Sequence, residues 1–219
     1  MHREPTVDRC EARPSGAFVA MAQQREAVRL GMWLFLASEA MMFGSLMLIA
    51  WYYRLQHPAG VGEAVAGLHR WLAAWNTLVL ITSGLCMTLA LEACRAGRMQ
   101  PLLRGLNMTV LLGLGFLAGK VLEYTLEYRE GVLPGFGLPS PVSEPSARLF
   151  MNLYFCSTLL HSLHLLIGVG LVLYLRIALG RGWLCLPANA LRLEMTGLYW
   201  HLVDGIWVLL FPVLYLVGG

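Results

Sequence analysis

Five long apolar stretches alternate with short polar segments along the chain, at roughly 30–54, 71–94, 104–128, 147–176 and 192–217. Crossing the hydrocarbon of a bilayer, about 30 Å thick, takes about 20 mainly apolar helical residues at about 1.5 Å each. Every stretch meets that length, so the pattern predicts an all-α integral membrane bundle of five transmembrane helices. Residues 1–28 mix charges of both signs with Pro5 and Pro14 and lack a continuous apolar face. They predict a flexible cytoplasmic arm ahead of a membrane domain over 29–219. The first apolar run is too long for a signal-peptide h-region and has no small-residue cleavage site after it, so it is expected to remain in the mature protein. The longest connection, roughly 129–146, holds Gly131, Pro134, Gly135, Gly137, Pro139, Pro141 and Pro145, and predicts an external loop without a regular element. No internal repeat or low-complexity segment is present.

Composition agrees with this pattern: of 219 residues, 58% are hydrophobic and 13% charged. The cationic charge is nearly all arginine. Arg3, Arg9, Arg13, Arg25 and Arg29 precede the first span, Arg95, Arg98 and Arg104 follow the second, and Arg176, Arg181 and Arg192 lie between the fourth and fifth. The other side carries Arg54, Arg70, Arg129 and Arg148, so the positive-inside rule predicts a cytoplasmic N-terminus and a periplasmic C-terminus. The net charge of +3 reports that topology and gives no reason to invoke nucleic acid. Trp51, Tyr52, Tyr53, Trp71 and Trp75 fall where amphipathic rings mark a membrane interface. The five cysteines (Cys10, Cys86, Cys94, Cys156 and Cys185) have no paired spacing and read as unbridged. Small residues at Gly44-Ser45, Ser83-Gly84, Gly113, Gly115, Gly119, Gly168 and Gly170 permit close helix approach.

The chemistry lies in polar groups inside the spans, where hydration is scarce: Glu39, Lys120, Glu123, His161, His164, His201 and Asp204, with Glu92, Glu127 and Glu194 nearer the ends. Counted from the arginines of one side, Glu39 lies ten residues above Arg29, His164 twelve from Arg176, His201 nine and Asp204 twelve from Arg192. These four share one slab of the membrane. Lys120 with Glu123, His161 with His164 and His201 with Asp204 are each spaced i,i+3, so each pair shares a helix face. Lys120 and Glu123 can neutralise one another locally, and a carboxylate beside a histidine offers a bond that makes burial tolerable. For Glu39 two readings stand together: a neutral carboxyl bonded to a neighbour, or a proton-exchanging or gating acid. The histidines read first as buried imidazoles bonded to neighbouring helices; haem or metal ligation is the sharper alternative. Ser157, Thr158 and Ser162 flank His161 within a helix, without the turn or oxyanion hole a nucleophile needs.

These residues fall in stretches that resemble subunit III of the haem–copper respiratory oxidases in its short five-helix bacterial form. The matching segments are RLGMWLFLASEAMMFG (Arg29–Gly44), NTLVLITSG (Asn76–Gly84), GLGFLAGKVLEY (Gly113–Tyr124), LLHSLHLLIG (Leu159–Gly168) and LEMTGLYWHLVDGIWVLLF (Leu193–Phe211). Together the SE of the first span, the HxxH of the fourth and the E-x6-H-x2-D-x2-W of the last make the resemblance specific. It implies a subunit with no haem or copper of its own that packs against catalytic subunit I in a complex with subunit II, where the haem and copper reside. It further implies bound phospholipid, support of proton uptake and protection of the catalytic subunit during turnover. Glu39 matches the family's buried, carbodiimide-reactive glutamate, and Arg176 is a candidate lipid-headgroup contact. The long form of the family has two further N-terminal helices walling a lipid cleft; nothing before Arg29 is apolar enough to span, so another wall is expected there.

The expectation is therefore a non-catalytic, multi-pass subunit of a proton-pumping terminal oxidase in the bacterial cytoplasmic membrane, working in aerobic respiration with no active site of its own. The GxxxK-x2-EY motif of the third span and the SE of the first favour a cytochrome c oxidase. A quinol oxidase subunit and the accessory protein associated with nitric oxide reductase are the related alternatives. A haem-binding electron carrier using His161, His164 and His201 belongs to a different class, as does a small transporter, for which no midplane site of broken helices is evident.

Overall fold

The computed structural model describes residues 21–66, 68–129, 145–183 and 190–216. The terminal segment 1–20, most of the expected loop at 129–146, and Cys10 and Cys185 lie outside them. Among the described residues there are five helices long and apolar enough to cross a membrane. In chain order these are α1 (Met21–Gln56), α3 (Arg70–Arg95), α4 (Met99–Arg129), α5 (Pro145–Gly180) and α6 (Ala190–Phe211), with a short helix α2 (Pro58–Ala66) between the first two. Helix α1 starts at Met21, inside the segment expected to be a mobile arm. The residues there, Met-Ala-Gln-Gln-Arg-Glu-Ala, are strong helix formers that extend the span by two turns.

Helix α2 was not legible as a span because it is too short and contains Gly60 and Gly62. Pro58 sits in its first turn, where a missing N–H costs nothing. Val61 and Val65, one turn apart, bury against the start of α5, together with Ala147 and Phe150. Chain reversals at the arginine-bearing end are made differently. Gly97 and Gly182 follow α3 and α5 with φ of 68° and 70°, the left-handed conformation that costs glycine least. Arg98 N–H then donates to Ala93 O at 2.9 Å and Trp183 N–H to Ala178 O at 2.9 Å, closing both helices. At the far end Pro212, which has no N–H, opens α6 into a π-helical turn, Pro212–Leu216.

Helices α3, α4, α5 and α6 form the tightly packed part of the bundle, around Leu80, Met87, Phe116, Tyr154, Trp200 and Trp207. Backbone proximity depends on glycine at a few points. A Cβ at Gly113 would lie 2.8 Å from Trp200 Cη2 and 2.9 Å from Val169 Cγ2, so α4 meets α5 and α6 there only because the side chain is absent. Helix α1 leans on α5 and α6 from outside. In its most apolar window 11% of residues are buried, against 33–50% in the other spans, so among the described residues one side of α1 is left uncovered.

We expect Gly113→Val to destabilise the bundle by about 1–3 kcal/mol, the range for overpacking a filled core. Gly115→Ala, on the same helix but with open space around it, is expected to leave stability unchanged. Thermal unfolding in mild detergent, followed by tryptophan fluorescence, checks both.

Candidate functional site

Glu39 on α1 meets His164 on α5. His164 Nε2 lies 3.0 Å from Glu39 Oε2, and Nδ1 lies 2.8 Å from Leu160 O. A carbonyl only accepts, so Nδ1 must carry a hydrogen. Nε2 of a neutral ring is then a bare lone pair, and the bond to Glu39 needs one proton, either on the carboxyl or on the ring. In both arrangements the pair is electrically neutral overall. That satisfies an acid within a span without a cation from outside. The Phe43 ring stands edge-on to His164 at 5.4 Å, and Tyr199 OH donates to His164 O at 2.9 Å, fixing α6 to the same turn of α5.

This pair lies in a cleft of about 720 Å³ between α1, α5 and α6. Its walls are apolar (Val28, Met32, Phe35, Ile167, Leu171, Met195), and Gln24 and Arg192 stand at the arginine-bearing end. From Gln24 to Glu39 is roughly 22 Å along α1, comparable to an extended acyl chain. Just outside, Glu194 accepts from Arg29 at 3.3 Å and faces Arg95 at 3.6 Å, joining α1, α3 and α6. These arginines are exposed, and such pairs contribute at most about 1 kcal/mol each. Arg176 is not on the cleft wall: its Nε donates to Asn107 Oδ1 on α4 at 2.7 Å.

A second polar cluster is sealed inside the opposite half of the bundle. Lys120 Nζ donates to Glu123 Oε2 at 2.9 Å and to Tyr215 OH at 2.7 Å, and Tyr215 OH donates to Glu123 Oε1 at 2.6 Å. Tyr154 OH is 3.0 Å from both Glu123 Oε1 and Glu127 Oε1 and 2.7 Å from Tyr215 OH. A phenol has one proton, so Tyr154 donates to one of these at a time while its lone pairs can accept. The lysine also sits 4.5 Å from the centroid of the Trp207 ring. Tyr124 OH donates to Thr158 Oγ1 at 2.7 Å, and that hydroxyl donates to Tyr154 O at 2.8 Å. The i,i+3 pair expected on α4 is thus formed, but as one edge of a network tying α4, α5 and the C-terminal turn together. Tyr154 and Tyr215 escaped the sequence reading because a tyrosine in a span ordinarily marks an interface. The i,i+3,i+7 stripe Lys120, Glu123, Glu127 was the available signal that neighbouring helices must supply donors.

The remaining residues do not converge. His161 turns to the interior, its ring 5.0 Å from Trp207, 5.7 Å from Phe116 and 6.5 Å from Phe43, and neither nitrogen has a hydrogen-bond partner among the described residues. His201 faces outward, with Nε2 3.3 Å from Thr88 Oγ1 on α3. The Thr88 hydroxyl donates to Gly84 O at 3.1 Å, so it accepts from His201, whose hydrogen is on Nε2. The Asp204 carboxyl packs over Gly84, and both its oxygens are buried without a partner among the described residues. Three histidines that point to the cleft, the core and the outer surface do not make one ligand set, and aromatic rings crowd His161 where a macrocycle would have to lie. Among the described residues no group of three or more His, Cys, Asp or Glu side chains is placed to hold a metal. Cys86, Cys94 and Cys156 are free thiols.

The fold and these sites define a polytopic helical membrane protein whose polar groups serve pairing and packing. The sequence model of cytochrome c oxidase subunit III matches residues 10–219, and the chain belongs to that family. Among its relatives, the probable quinol oxidase subunit 3 of Staphylococcus epidermidis is 30% identical over 88% of this chain and 90% of its own length. The cytochrome c oxidase subunit 3 of Alkalihalophilus pseudofirmus is 28% identical over 86% of each chain. The heme-copper oxidase subunit I+III of Aeropyrum pernix is 30% identical over 88% of this chain, which spans 23% of that longer protein.

Lys120→Met leaves Glu123 and Glu127 buried without the ammonium, and a loss of about 3–5 kcal/mol is expected. Adding Glu123→Gln should recover a large part of it. Thermal unfolding of the single and double variants in detergent measures both effects.

Proposed function

We propose that the chain is the non-catalytic subunit III of a proton-pumping haem–copper terminal oxidase, most closely of the cytochrome c type, in the bacterial cytoplasmic membrane. Membership of the family carries association with the catalytic subunits. In this reading haem and copper stay in subunits I and II, and the N-terminus faces the cytoplasm, as the arginine bias favours. The observation that carries the reading is the Glu39–His164 pair, held neutral by one shared proton in an apolar cleft open along α1. Such a cleft suits a phospholipid whose chains lie along Met32, Phe35 and Leu171 and whose anionic headgroup meets Arg192. Arg192 takes the headgroup role in place of Arg176, which is engaged by Asn107. A lipid held there would pack the loose side of α1, steady the subunit against its partner and so support the partner's proton uptake.

Purification in mild detergent followed by mass spectrometry of the subunits tests the assignment. Subunits I and II are expected beside this chain, in a preparation that oxidises reduced cytochrome c, and the isolated chain should show no Soret band. A solitary, coloured protein overturns it. Turnover with quinol but not with cytochrome c overturns the choice of donor.

The Glu39 variants separate function from packing. Glu39→Ala leaves a bare Nε2 facing the cleft; it is expected to retain the partner subunits while lowering retained phospholipid and shortening the active lifetime during turnover. Glu39→Gln, whose amide can donate to Nε2, should keep both near the unsubstituted level. If Glu39→Ala fails to accumulate with its partners and Glu39→Gln does not fail, the bond is structural.

A further inference from the structure

Helix α1 and the cleft lie along the α5–α6 edge of the bundle, and α3 and α4 make the opposite edge. An open groove of about 420 Å³ runs there, lined by Cys86, Leu89 and Glu92 of α3, by Arg104 and Met108 of α4 and by Arg98 of the turn between them. Its floor depends on glycine. A Cβ at Gly105 would lie 2.8 Å from Ala90 Cβ and 3.1 Å from Cys86 O, so the two backbones meet closely and the half-exposed Leu89 and Met108 are left standing as walls.

Charge is concentrated at one end of this groove. Arg98, Arg104 and Glu92 are exposed, and none of the three side chains makes a hydrogen bond or ion pair with another described residue. By contrast Arg95 faces Glu194 and Arg176 is engaged by Asn107. Below the charges the lining turns apolar: Cys86 lies six residues from Glu92, roughly 9 Å along α3, and Met108 four from Arg104, roughly 6 Å along α4, both away from the arginine-bearing end. A charged rim over an apolar trough, where the spans begin, matches a lipid headgroup above the first carbons of its chains. The signs of the charges then narrow the headgroup. A phosphate diester suits the two guanidinium planes, which donate in pairs to its oxygens. A purely anionic headgroup would bring like charge against Glu92. A primary ammonium offers that carboxylate three N–H donors, whereas a quaternary one has none.

We propose that the α3–α4 groove selects a phospholipid with a zwitterionic, primary-amine headgroup of the phosphatidylethanolamine type, with Arg98 and Arg104 on its phosphate and Glu92 on its ammonium. This site is separate from the cleft at Glu39 and His164. Its choice of headgroup depends on three side chains of this chain and not on what fills the cleft.

Photoreactive phosphatidylethanolamine and phosphatidylglycerol, each with a diazirine near the top of one acyl chain, test this in phosphatidylcholine nanodiscs holding the protein with whatever subunits co-purify. Adducts are mapped by mass spectrometry. The ethanolamine probe should label the segments around Leu89 and Met108 about fivefold more than the glycerol probe, the upper end for one exposed ion pair. Glu92→Gln should make the two probes equal, and Arg98→Gln combined with Arg104→Gln should lower both. These side chains are exposed, so thermal unfolding should not change in any variant. Equal labelling by the two probes in the unsubstituted protein overturns the headgroup assignment, as does a preference that survives Glu92→Gln. Absence of label from the groove, or a subunit found seated over it, overturns the site. Label at Met32 and Phe35 reports the cleft and should not respond to Glu92→Gln; its absence beside a labelled groove counts against the cleft lipid of the preceding section and leaves this site standing.

Discussion

A polar side chain at mid-depth in a membrane has no water to fall back on, and this constraint organises the molecule. The chain answers it in three ways. Lys120 is neutralised by Glu123 and wrapped by phenols and the Trp207 ring, so a formal charge sits in a closed polar cage. Glu39 and His164 need no counter-charge, because one proton serves both. His201 lays its ring nitrogens against α3, with Nε2 3.3 Å from Thr88 Oγ1 and Nδ1 beside Gly84.

The cage and the pair hold the bundle at different strengths. The cage crosslinks α4, α5 and the turn after α6 through bonds that no solvent screens, and its removal exposes charges to a low dielectric. The Glu39–His164 bond is one contact between helices, at the point where α1 touches α5, and α1 is otherwise little buried. The tight half therefore behaves as a scaffold. The α1 side is where the described residues leave an apolar cleft.

The five spans were legible because membrane insertion writes itself into about 20 consecutive residues, and composition over that length is hard to mistake. The slab of polar groups was also legible, since counting from the arginines is a statement about rise per residue. What joins to what was less so. The Lys120–Glu123 contact follows from i,i+3 spacing, but its phenolic partners come from residues 34 and 95 positions from Lys120, and no local rule brings them there. His201 and Asp204 have the same spacing, yet the imidazole turns to Thr88, because Gly84 makes room for the Asp204 carboxyl against α3. Spacing gives the face on which a side chain lies; the neighbouring helix decides which bond is made.

The position of α6 follows from the same logic. Half of its most apolar window is buried, the largest share of any span, and its two ends are held by different devices: Glu194 between Arg29 and Arg95 at one, Tyr215 in the cage at the other. Between them Tyr199 fixes it to α5 and Trp207 to Thr77 on α3 at 3.0 Å. A helix restrained along its whole length transmits little motion of its own. It is therefore suited to be the fixed wall that the apolar cleft uses on one side and the exposed imidazole shares on the other, while α1, held by fewer bonds, is the element free to adjust to what fills the cleft.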